Sequence, residues 1–319
     1  MSEESHYAMV QVDLDGLNSV LDCYGSALRD GEPDRIYTDG VERLLGLLKE
    51  YNIKATFFLI GKDYEVPYKK RIIKCLVNDG HELANHTYSH PLSFARLSQE
   101  AQIAEIDQCS AVIAEVSGKQ PLGFRAPGYA ITNRVVNYLE SHHFAYDASI
   151  FPCACSWLIR AWQSLSSPSS FEKEKYGASV QIMAPQSPYV PDRERIHSRS
   201  NTARDIYEIP VSTILHLRLP FHGSYVMLFT RFSLKLGLWY WKSGFGRYHR
   251  RKLPYVFVIH PLELTDITCD HRLKAQIGYD TPIETKISLY REIFSTVKDK
   301  CKIVTTACFV KGYLARGRV

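Results

Sequence analysis

Residues 55–90 read ATFFLIGKDYEVPYKKRIIKCLVNDGHELANHTYSH, and the apolar rhythm changes twice along them. Ala55-Thr-Phe-Phe-Leu-Ile60 is a short apolar run closed by Gly61, the pattern of a buried strand. Ile72, Ile73, Leu76 and Val77 then recur at helical spacing, and Gly80-His-Glu-Leu-Ala84 begins another strand. A strand, a helix and a strand in such a short stretch predict parallel pairing through a helical crossover.

The same unit recurs on both sides. Upstream, Ala8-Met-Val-Gln-Val12 is an apolar strand running into Asp13-Leu-Asp-Gly16. Val41, Leu44, Leu45 and Leu48 follow at i, i+3, i+4, i+7 behind the capping pair Thr38-Asp39. Downstream, Ile103, Ile106, Ile113 and Val116 mark a helix ending at Gly118, before Leu122-Gly-Phe124; a helix over 133–141 precedes Phe144-Ala-Tyr146. Later strands are expected at Ile206–Ser212, Tyr255–Ile259 and Lys302–Thr306, with a helix from about Glu284 to Val297. This alternation predicts an α/β fold, a parallel sheet wrapped by helices and most simply a barrel. The rhythm fails over 153–204, rich in Ser, Pro and charge, which is expected to be an insertion over one mouth of a single domain spanning 1–319.

Composition sets the outer limits. In 319 residues, 45% hydrophobic and 23% charged is ordinary globular usage, which excludes collagen, coiled coil and wholesale disorder. The start, Met1-Ser-Glu-Glu-Ser-His6, has neither the basic head nor the apolar core of an export signal, and no apolar run approaches a membrane span. The expectation is a cytoplasmic protein whose scattered cysteines stay reduced. Net charge is only +5, but its distribution is uneven. From Ile209 to Leu262 there is no acid, while Arg218, Arg231, Lys235, Lys242, Arg247, Arg250, Arg251 and Lys252 all fall there.

Five polar clusters follow predicted strands: Asp13 with Asp15, His86 with His90, Arg125, Asp147 and His260. In a βα barrel all strand C-termini open on one face, so these clusters would converge. Two imidazoles from the His-x3-His pair and one carboxylate make three ligands of a zinc ion and leave a position open for water. Asp13 and Asp15 point the same way from extended backbone, so one can bind metal while the other takes a proton. Arg125 is the group to orient a carboxylate by paired hydrogen bonds, and His260 could protonate a leaving amine. Alone, each has a plain structural reading: turn-capping aspartates, surface or core histidines, a surface ion pair. His81-Glu82-Leu-Ala-Asn-His86 is not the zinc-protease motif, because its second histidine is one residue late.

Taken together and in this order, Ala55–Gly61, Gly80–His90, Phe124-Arg-Ala-Pro-Gly128 and Val258-Ile-His-Pro261 resemble the polysaccharide deacetylases, the NodB-homology or family 4 carbohydrate esterases, over about residues 8–150 and 205–310. The resemblance implies a distorted (β/α)7 TIM-like barrel and a divalent metal, zinc first, on Asp15, His86 and His90. It implies Asp13 as general base tethered by Arg125, His260 as general acid, and backbone N–H near Gly128 for the oxyanion. The reaction would be hydrolysis of an N-acyl amide, acetyl or formyl, on an amino sugar. Two departures stand out. The usual adjacent aspartates are split here by Leu14, giving Asp-x-Asp, and the fourth motif offers only Asp147, expected to partner His260.

The acid-free window suggests a partner. Phe229, Phe232, Leu236, Trp239 and Tyr240 can line one helical face and Arg231, Lys235 and Lys242 another, within a basic aromatic segment of about 218–252. Such segments lie in the headgroup plane of anionic membranes, so a peripheral position on the inner leaflet and a polyprenyl-phosphate-linked amino sugar are expected. Other accounts are a deacetylase of soluble nucleotide- or oligosaccharide-linked sugars, a non-catalytic glycan-binding barrel, and a metal-independent hydrolase of cyclic ureides. The complete acid, base and ligand set disfavours the last two, and nothing else resembles a nucleic-acid module.

Overall fold

The computed structural model describes residues 6–155, 179–268 and 270–312. Among the described residues eight parallel strands form one curled sheet: β1 (Tyr7–Asp13), β2 (Thr56–Leu59), β3 (Glu82–Asn85), β4 (Gly123–Phe124), β5 (Tyr146–Asp147), β6 (Tyr207–Glu208), β7 (Tyr255–Ile259) and β8 (Lys302–Ile303). Their order is β6-β5-β4-β3-β2-β1-β7, with β8 paired to the start of β1. Helices α1 (Leu17–Asp22), α2 (Glu42–Glu50), α3 (Pro67–Asn78), α4 (Gln99–Ser117), α5 (Asn133–Ser141), α6 (Gly223–Thr230), α7 (Leu234–Arg250), α8 (Ile283–Lys300) and α9 (Thr306–Gly312) complete the shell. This is the barrel expected from the alternation, in the distorted (β/α)7 form that the family resemblance implies. Its strands are much shorter than the apolar runs: Ile206–Ser212 contributes only two residues to the ladder, because parallel pairing ends where the sheet curls away from its neighbour.

Strand alternation divides the core into two shells. Met9, Phe58, Ala84, Tyr146, Val256 and Val258 pack inside the barrel. Ala8, Val10, Val12, Phe57 and Phe257 pack outward against α2, α7 and α8. The interior is crowded: a Cβ on Gly123 would lie 1.9 Å from Cζ of Tyr146, so only glycine lets that ring cross the barrel. β6 and β7 do not pair, and the seam between them is crossed by Ser212, whose Oγ accepts from Val256 N at 2.9 Å.

Of the segment 153–204, residues 156–178 lie outside those described. Residues 179–204 carry one 3-10 turn and isolated bridges. Gln181 binds Tyr129 O and Phe151 N beside the loop after β4, and Arg204 is clamped on Glu140 of α5. The cysteines among the described residues are free thiols.

Candidate metal and catalytic centre

The odd-numbered residues of β1 face the barrel interior, so Asp13 ends the strand pointing inward and Asp15, in the loop beyond it, returns to the same mouth. Leu14 faces outward into the core and extends the ladder by donating its N–H to Phe58 O. His86 and His90 come from the loop after β3, which is held in an uncommon shape: Thr87 and His90 both have positive φ. Two backbone bonds pin this loop, Gly61 N to Thr87 O and Lys62 N to Tyr88 O. Gly61 is required here, because a Cβ would meet the Tyr88 ring at 2.8 Å and the Cys109 backbone at 3.1 Å.

These loops bring Asp15 Oδ1 to 3.5 Å from His86 Nε2 and 3.6 Å from His90 Nε2. All three ligand-type atoms lie within 4.8 Å of one another. His86 Nδ1 donates to Arg125 O at 2.7 Å, which orients the ring and leaves Nε2 facing Asp15. Asp15 Oδ1 is buried and accepts no hydrogen bond. Burial would raise its pKa, but His90 and His86 outweigh that and hold the carboxyl well below the usual range. A buried, ionised oxygen without a hydrogen-bond donor, facing two imidazole nitrogens, is the donor set a divalent cation takes.

Asp13 sits beside this set and is only 4% exposed. Arg125 is more deeply buried, at 1%, and its guanidinium lies 4.1 Å above the Phe58 ring. It donates through Nη1 to Asp13 Oδ1, through Nη2 to Gln11 Oε1 and through Nε to Ala148 O, so all three nitrogens are committed. The other oxygen of Asp13 faces His260 Nε2 at 3.6 Å. Tyr129 N–H already donates to Ala126 O.

Asp147 does not partner His260. Tyr146 and Ala148 occupy the inward positions of β5, so Asp147 points to the outer face, where it accepts from Ser149 Oγ and stands in register with Glu208 of β6. Burial and the Asp147 charge push Glu208 well above the carboxylate range, so the pair shares one negative charge. The place expected for Asp147 is taken by Glu263, whose Oε1 lies 3.3 Å from His260 Nδ1. Glu263 is buried and accepts hydrogen bonds from Tyr290 and Ser224. Burial would lower the His260 pKa, yet Glu263, Asp13 and Asp15 raise it to about 9. The signal for Glu263 was present as His260-x-x-Glu263, a spacing that one turn of 3-10 helix brings together.

His222, which caps α6, was not expected at the mouth. Its imidazole packs against Phe151 and Tyr225, and burial, with the charges of His260 and Arg125, lowers its pKa far below 6.5. No spacing in the sequence singles it out. His81 and Glu82 have structural work instead: His81 Nδ1 accepts from Ala55 N, and Glu82 accepts from Thr56, Tyr146 and Ala307 inside the barrel.

The profile of the polysaccharide deacetylase family matches residues 30–146. That stretch is similar to a polysaccharide deacetylase domain. The matched stretch includes His86, His90 and Arg125, while Asp13, Asp15 and His260 join it through the barrel. A peptidoglycan deacetylase of Helicobacter pylori is 31% identical over 145 residues, 44% of this chain and 47% of that protein. A peptidoglycan-N-acetylglucosamine deacetylase of Bacillus cereus is 31% identical over 115 residues, 36% of this chain and 40% of its own length. The chain thus spans less than half the length of these curated relatives. Among solved structures, a Mycobacterium smegmatis protein described as a polysaccharide deacetylase superposes with a TM-score of 0.61 at 17% identity, covering 100% of this chain and 94% of that one. The PuuE allantoinase superposes with 0.63 at 14% identity over 100% and 94% of the two chains. At such identities these structures speak for the barrel fold alone and not for chemistry.

Proposed function

We propose that this chain hydrolyses the N-acyl group of an amino sugar with the help of a divalent cation, zinc being the best match to the ligands, held by Asp15, His86 and His90. The observation that carries this reading is the buried Asp15 oxygen, without a hydrogen-bond donor and facing Nε2 of both His86 and His90. A cation bound there would polarise the amide carbonyl and acidify water. Asp13, oriented by Arg125, takes the proton of the attacking water. The backbone N–H of Gly128 is assigned to the developing oxyanion, since Tyr129 N–H is engaged. His260, charged at neutral pH and backed by Glu263, gives its Nε2 proton to the amine as the C–N bond breaks. The products are a free amino sugar and a carboxylic acid.

The substrate is proposed to be a polyprenyl-phosphate-linked amino sugar at the inner leaflet of the cell membrane. Support comes from the α6–α7 hairpin, which starts at the mouth with His222 and exposes Phe232 (75%) and Trp239 (65%) beside Arg231, Lys235 and Lys242. Among the described residues no helix is long and apolar enough to cross a membrane, and this surface is the attachment proposed. Amine release is measured from N-acetylated sugars in oligomeric and in lipid-linked form, with Asp13→Asn as the control. Turnover that the substitution reduces by about 100-fold or more supports the reading. Equal turnover by the variant would sink it, and faster turnover of the free oligomer would sink the lipid-linked part.

A further inference from the structure

A second group of metal-type donors meets at the opposite end of the barrel. His6 precedes β1, His249 lies in the last turn of α7, and Cys301 follows α8 and leads into β8. These segments are far apart in sequence and meet because β1 pairs with both β7 and β8. His6 Nδ1 is 3.2 Å from His249 Nδ1 and 3.1 Å from Cys301 Sγ, and the three donor atoms all lie within 4.8 Å of one another. The other nitrogen of His6 donates to Leu253 O at 2.6 Å. The His6 proton is therefore on Nε2, and the Nδ1 lone pair is directed at the other two groups, the arrangement a carbonyl imposes on a ligating histidine. His6 is buried beside the Phe245 ring.

Two nitrogens each about 2.0–2.1 Å from a tetrahedral ion stand about 3.3 Å apart, close to the 3.2 Å separation here. We propose that His6, His249 and Cys301 bind a zinc-type divalent cation with water as fourth ligand, a site separate from the catalytic centre that ties β1, α7 and β8 together. Without metal the Cys301 S–H donates to His6 Nδ1. Binding replaces that S–H bond with a sulfur–metal bond and releases one proton to solvent.

Sulfur makes the site separately observable, because the Asp15, His86 and His90 set has none. Untagged full-length protein, stripped of metal, is titrated with cobalt(II) and followed in the near ultraviolet for thiolate-to-cobalt charge transfer. The expected result is a band that saturates at one equivalent, persists in a His86→Ala/His90→Ala variant, and disappears in Cys301→Ser. Zinc content should fall by one equivalent in Cys301→Ser and in His249→Gln, with the fold checked by circular dichroism. Absence of the band in folded wild-type protein, or its survival in Cys301→Ser, overturns the proposal and leaves a hydrogen-bonded cluster. Either outcome is independent of whether the mouth hydrolyses a sugar amide.

Discussion

In the mechanism proposed for this chain His260 serves as general acid only while it is protonated, and Glu263 is the residue that most directly keeps it so, at 3.3 Å. The sign follows from the charge: removing the carboxylate removes a stabiliser of the imidazolium, so the pKa falls from about 9 toward the ordinary 6.5. Glu263→Gln should therefore move the alkaline limb of kcat/KM to lower pH, by on the order of one unit, while the rate at acid pH suffers less. A limb that stays in place would remove Glu263 from this role. The same elevation links to folding: stability from the charged His260 is complete below about 6.5 and is lost as pH rises through 9. At this scale the residue types were legible in the sequence and their directions only partly so. Asp13, Asp15, His86, His90, Arg125 and His260 do converge. Asp147 fails because one step along β5 puts a side chain on the other face of the sheet, and Tyr146 holds the inward position.

The loop that carries His86 and His90 depends on a residue outside it. Gly61 lies under Tyr88 with no room for a methyl group, so Gly61→Ala must shift either the Tyr88 ring or the α4 backbone. Overpacking of this kind costs about 1–3 kcal/mol, and displacement of the loop should weaken divalent-metal binding as well. Thermal unfolding and zinc titration of the variant test both effects; unchanged metal affinity would show that the loop holds its shape without Gly61. The basic aromatic segment shows a different relation of pattern to element. Its apolar residues read as one helical face, but Ser233 caps a new helix and divides them. Phe229 and Tyr240 stack on each other, with Tyr240 OH bound to Pro220 O, and Trp241 is buried against Phe245 with its N–H on Tyr255. Phe232, Leu236 and Trp239 are left outward. A Phe232→Ser/Trp239→Ser variant should lose flotation with anionic vesicles and keep its turnover of soluble substrate. Flotation equal to wild type would remove these side chains from membrane contact.

Across the whole molecule, the weak line is the seam between β6 and β7, where a side chain replaces the ladder. Ser212→Ala leaves the buried Val256 N–H without its acceptor, at a cost of about 1–3 kcal/mol. Amide hydrogen exchange should rise first in β7 and around Ser212, before the β1–β2–β3 wall; uniform exchange across the sheet would mean the seam is not where the barrel opens. The sequence by itself determined the parallel βα alternation, the strand ends that carry chemistry and the concentration of basic charge in one segment, because period, turn residues and charge are local properties. Only the tertiary structure decided which carboxylate reaches His260, which aromatics remain exposed, and that His6, His249 and Cys301 meet at all. Those outcomes depend on strand parity, helix breaks and sheet neighbours, through which residues hundreds of positions apart come within hydrogen-bond distance.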